Sequence, residues 1–130
     1  MSARAHLGRR VWAFPDGDLP VPGDSEPHGH ESLVLLNPNR AAAEVRLTVY
    51  FPGRAPERDL RVVVEAERVR CMRLDRPVGE EGFRIPYGQY ALLVESQVPI
   101  IAQIGRMDVQ QANLAYYTVM GFPVDGENGT

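Results

Sequence analysis

The chain predicts an all-β fold: an antiparallel β-sandwich of about eight short strands, with jelly-roll or Greek-key topology. Three observations carry this. Gly (12) and Pro (11) are frequent and spread along the whole chain, which leaves pieces too short for long helices. The pieces between them are rich in Val, Leu, Ile and Tyr. Several place apolar residues at every second position, the period of a half-buried strand.

The first expected strand runs from Arg9 to Phe14 and stops at Pro15-Asp16-Gly17-Asp18, a run of turn formers. Leu19 to Gly29 contains Pro20, Pro22, Gly23 and Pro27 and reads as a long, acidic, irregular loop. It ends in His28-Gly29-His30. Glu31 to Leu36 reads as a buried strand closed by Asn37-Pro38-Asn39. Glu44 to Phe51 alternates most cleanly: Val45, Leu47, Val49 and Phe51 point one way, and Glu44, Arg46, Thr48 and Tyr50 the other. Pro52-Gly53 ends it. Asp59 to Ala66 turns Leu60, Val62 and Val64 inward, and with the previous inward set these form the expected core. Arg68 to Leu74 alternates again. Gln89 to Ser96 and Ile100 to Gly105 are two apolar runs split by Gln97-Val98-Pro99, which predicts a hairpin or tight corner. Asn113 to Met120 closes the set; Tyr116, Tyr117, Thr118 and Val119 favour strand over helix.

At 130 residues, 44% hydrophobic and 24% charged, the chain reads as one globular domain, residues 1–130. Residues 1–7 and 124–130 are expected to be flexible ends. No apolar run approaches the ~20 residues of a membrane-spanning helix. Arg4, Arg9 and Arg10 lack the apolar core of a secretory leader, so a soluble cytoplasmic protein is expected. The single Cys71 allows no intramolecular disulfide and no multi-cysteine zinc site. Its mid-strand place predicts a packed, inert thiol. A net charge of -3 argues against general nucleic-acid binding. All 14 basic residues are arginine, which suits bidentate anion recognition and also a GC-rich coding sequence.

Trp12-Ala13-Phe14-Pro15 with its Asp-Gly turn, and His30-Glu31 running to Leu36-Asn37, resemble the sensory rhodopsin transducer family. So do Thr48-Val49-Tyr50-Phe51, Arg73 at a strand end, Ser96-Gln97-Val98-Pro99-Ile100-Ile101-Ala102-Gln103, and Arg106-Met107-Asp108. The resemblance covers roughly residues 8–121. It implies a small β-sandwich that assembles as a homotetramer, with a relative that couples to a membrane photoreceptor from the cytoplasmic side. It also implies a more general role for the family, the binding of small molecules such as sugars.

Two polar clusters interrupt the apolar runs. His28-Gly29-His30-Glu31 has the alternation of a metal-ligand pair, but no His follows His30 and no acid follows Glu31 before Glu44. No metal site and no cofactor are expected, and a jelly-roll metalloenzyme on His28, His30 and Glu31 is the weakest of three readings. Gln103, Arg106 and Asp108 form the second cluster; Arg106 and Asp108 share a face and offer a donor fork beside acceptors. They suit either a small polar ligand or an internal salt bridge. Trp12 is a stacking platform if exposed and core if buried. Arg61, Arg68, Arg70 and Arg73 could make a basic patch, blunted by Glu65 and Glu67. Nucleophile-elbow, phosphate-loop and dinucleotide fingerprints are absent.

The expected function is therefore non-catalytic: binding of a small polar molecule, with carbohydrates the leading class. The expected pocket is Trp12, His30, Glu31, Gln103, Arg106 and Asp108, with His30-Glu31 near Gln103, Arg106 and Asp108 at one rim of the sandwich. The alternative is a cytoplasmic adaptor that docks a membrane receptor without a ligand of its own.

Overall fold

Alternating apolar residues bury one face of most strands, and two layers of such strands close over a shared core. The computed structural model describes residues 7–21, 29–108 and 115–124; for 108 and 115–117 it describes the backbone alone. The strands are β1 (Arg9–Leu19), β2 (His30–Asn37), β3 (Ala43–Tyr50), β4 (Glu57–Val64), β5 (Arg68–Arg73), β6 (Gly88–Asp108), β7 (Ala115–Met120) and β8 (Phe122–Pro123). All the pairings between them are antiparallel, and the described residues contain no helix. The fold is the all-β class the sequence predicts.

The first sheet has the order β4-β3-β6-β1-β8; in the second, β2 and β7 flank the far half of β6, and β5 adds to β2. Neighbours are mostly non-consecutive, as Greek-key and jelly-roll connections require. Val45, Leu47, Val49, Leu60, Val62 and Val64 are all buried as expected. They join Leu33, Leu35 and Ile104 of the second sheet in one cluster. Phe51 is only half-buried, with its ring 4.7 Å beneath the Arg54 guanidinium. Thr48, expected on the solvent face, is buried.

Two expectations fail for related reasons. Gln97-Val98-Pro99 makes no hairpin. β6 runs straight through it, pairing with β3 as far as Ser96 and with β2 from Ile101. The three residues lie where the strand changes sheets, so Pro99 removes no ladder hydrogen bond. Likewise Pro15-Asp16 does not stop β1. Phe14 opposes Leu92 and Gly17 opposes Tyr90, so one extra residue bulges out and the strand continues to Leu19. Cys71 is a third correction: it is exposed, on the outer face of the second sheet. Residues 1–6 and 125–130 of the expected flexible ends, 22–28 of the expected loop, including His28, and 113–114 of the last expected strand lie outside the described residues.

Candidate functional site

Side-chain period fixes which polar residues meet. Glu31 opposes Arg106, Leu33 opposes Ile104 and Leu35 opposes Ala102, and these residues face inward. Directly beside them, His30 opposes Met107 and Val34 opposes Gln103, on the outward face. The predicted cluster therefore splits. Glu31 and Arg106 come together inside; His30, at the start of β2, and Gln103, opposite the middle of β2, face outward. Asp108 ends β6 opposite Ala115, and its side chain lies outside the described residues. Trp12 is 6% exposed, and its indole N–H donates to the carbonyl of Ile100 at 2.9 Å. It occupies the core rather than a platform.

Glu31 is 1% exposed, so its charge needs full compensation. Arg106 Nε donates to Oε2 at 2.5 Å. The Tyr90 hydroxyl donates to Oε1 at 2.6 Å. The Asp18 backbone N–H is shared, 3.2 Å from Oε1 and 3.4 Å from Oε2. These donors come from β1 and both halves of β6, so one carboxylate ties the two sheets together. Burial, then the Glu31 charge and hydrogen bond, push the Tyr90 hydroxyl far above the ordinary phenol range. It remains a donor at every physiological pH. Gly17 permits this geometry: a Cβ there would stand 2.4 Å from the Tyr90 ring.

Sequence reasoning missed Tyr90, Asp18 and the bulge. Tyr90 sits in an apolar run and reads as core. Only the pairing of Gly17 with Tyr90 explains why a Gly and a Tyr stand there.

A cleft of about 140 Å³ opens beside this clasp, between the layers. β1 supplies Phe14, Pro15 and Asp16; β2 supplies Glu31; β6 supplies Ile104 and Arg106; β7 and β8 supply Val119, Met120 and Phe122. Phe122 is 65% exposed at its mouth. A shallower hollow of about 230 Å³ lies across Pro15, lined by Tyr50, Phe51, Gln89 and Tyr90 among others.

The remaining candidates are held elsewhere. Arg73 clasps Asp75 through two bonds, 2.8 and 2.6 Å. Burial raises the Asp75 pKa, but the Arg73 hydrogen bonds and charge outweigh it, and His30 adds to the pull, so the carboxyl lies below its ordinary value. Arg68 donates to the carbonyls of Ala66 and Glu67, and Arg70 to that of Val63. Arg61 lies between Glu44 and Glu80. Arg61 and Arg73 are thus paired with carboxylates of their own chain, while Arg68 and Arg70 are tied to backbone carbonyls. Among the described residues, no three His, Cys, Asp or Glu side chains gather as a metal site needs. Among the described residues no helix is long and apolar enough to cross a membrane.

The outer face of the second sheet carries little charge. Val69, Leu36 and Ile101 form one cross-strand row, and Cys71, Val34, Gln103 and Met120 the next. Val69 is 65% exposed.

Residues 7–123 match the family model described as Anabaena sensory rhodopsin transducer. The crystal structure of Thermotoga maritima 1070 is similar over 92% of this chain and 98% of that one, at 29% identity and a TM-score of 0.78. The Anabaena sensory rhodopsin transducer itself is 32% identical over 82% of this chain and 95% of that one, with a TM-score of 0.68. No curated protein matches the chain.

Proposed function

The chain belongs to the Anabaena sensory rhodopsin transducer family, and on that premise we propose that it is a non-catalytic small-molecule-binding module that passes its ligand state to a receptor partner. One observation carries the reading. The only charged pair in the sandwich interior among the described residues, Glu31–Arg106, lines an open cleft while clasping both sheets. A ligand there touches β1, β2, β6, β7 and β8 together, so its binding energy can bias how the layers sit. Saturated by donors, Glu31 suits holding geometry better than trading protons.

The ligand expected from the sequence is small and polar, with carbohydrates foremost. The partner, by analogy with a neighbour named a sensory rhodopsin transducer, is a membrane receptor met from the cytoplasm. Assembly as a homotetramer completes the reading, and the weakly charged outer face of the second sheet supports it. That same face favours the second reading, an adaptor without a ligand.

A thermal-shift screen of a metabolite library discriminates the two, because a binder is stabilised as RT ln(1 + [L]/Kd). The expected result is at least one compound that raises the Tm of the protein but not of Val119→Trp, which fills the cleft from an exposed position. A library without any stabilising compound would favour the adaptor.

A further inference from the structure

We propose that the cleft takes a molecule with one ring-sized apolar body and a cationic amine, rather than a carbohydrate. This names the ligand class of the site above and rests on the small-molecule reading.

Size comes first. The cleft's volume of about 140 Å³ is close to that of an engineered apolar cavity, ~150 Å³, which accepts one benzene. A single ring or a short branched chain fills it. Its walls are apolar: Phe14, Ile104, Val119, Met120 and Phe122 supply hydrocarbon, two aromatic rings and a thioether. A sugar needs a polar partner for nearly every hydroxyl it buries. Here the charged lining is limited to Asp16, Glu31 and Arg106, and Glu31 already accepts from Tyr90, Arg106 and the Asp18 N–H.

Charge comes second. Glu31 and Arg106 cancel each other at the floor. Asp16 stands at the rim on the exposed bulge of β1, and among the described residues it carries no ion pair. Among the described lining residues this leaves one uncompensated charge, the negative one of Asp16. It attracts an ammonium and repels a carboxylate. Phe14 and Phe122 line the same cleft, and aromatic rings attract a cation that reaches their faces.

Isothermal titration of the purified protein with benzylamine, benzyl alcohol, phenylacetate and glucose tests this at low ionic strength. Benzylamine is expected to bind about tenfold more tightly than phenylacetate, a difference of ~1.4 kcal/mol, with benzyl alcohol between them. Asp16→Asn should erase most of that order while leaving benzyl alcohol unchanged. Val119→Trp and Met120→Trp, each checked for native circular dichroism, should abolish binding of all three. Phenylacetate binding as well as benzylamine, or an order that survives Asp16→Asn, would overturn the cationic assignment. Glucose binding that Val119→Trp abolishes would keep the cleft as a small-molecule site and overturn this ligand class. Four probes without heat at millimolar concentration would overturn the class and count against the small-molecule reading as well.

Discussion

Glu31 is the residue on which the interior turns. A buried carboxylate is tolerated only when its oxygens are filled, and here three strand segments, β1 and the two halves of β6, fill them. Tyr90→Phe removes one donor and should cost about 1–3 kcal/mol in urea denaturation. Glu31→Ala leaves the Arg106 cation without its carboxylate and should cost about 3–5 kcal/mol. Adding Arg106→Ala to it should cost much less than the sum of the two single changes, because the pair is already broken. The Arg73–Asp75 clasp sets a pH dependence. The folded carboxyl titrates below its ordinary value of 3.8, so its contribution is present above about pH 4 and is lost as pH falls through the folded value. Asp75→Asn should flatten that acid limb and leave its upper plateau lower, as read by urea midpoints between pH 2 and 6. At this scale Glu31 and Arg106 are legible in the sequence, because charge inside an apolar run is conspicuous. Tyr90 is not, since a buried tyrosine differs from a phenylalanine only by the partner its hydroxyl finds.

Elements show where local signals mislead. Proline and glycine mark turns because they lack a donor or a side chain, yet both properties also suit a bulge or a change of sheet. Pro15 and Pro99 occupy such places in β1 and β6. Gly17 is the more demanding residue. Gly17→Ala puts a Cβ inside contact distance of the Tyr90 ring, so either the ring or the bulge must shift. The expected outcome is a lower Tm and a weakened Tyr90–Glu31 bond, seen as loss of protection of the Asp18 amide in hydrogen exchange. Unchanged protection would mean that the bulge accommodates a side chain freely. In β3 and β4 the inward valines and leucines are read correctly from sequence, because one register alone buries them, while Thr48 and Phe51 depart from the alternation.

Across the whole molecule the two outer faces differ. The outer face of the first sheet exposes Glu44, Arg46, Arg61 and Glu95 beside Tyr50, while that of the second exposes Val69, Leu36 and Met120 beside the Arg73–Asp75 pair. A homotetramer that covers the second face accounts for that asymmetry. Light scattering at micromolar concentration should give about four times the monomer mass, and Leu36→Glu should lower it. A monomer in both would remove assembly from the account. The sandwich class is legible from composition and period alone. The cleft is not, because its walls come from five strands far apart in the chain and nothing local marks their convergence.

The claim that most needs a direct test is that this cleft, and no other surface, is where a ligand sits. Methyl and amide NMR spectra of the protein titrated with the strongest stabilising compound from the library answer it. Shifts should concentrate on the methyls of Ile104 and Val119 and on the Asp18 amide, with Val69 and Leu36 unmoved. Shifts confined to Val69, Leu36 and their neighbours on the outer face would place binding on the second sheet's surface and contradict the account.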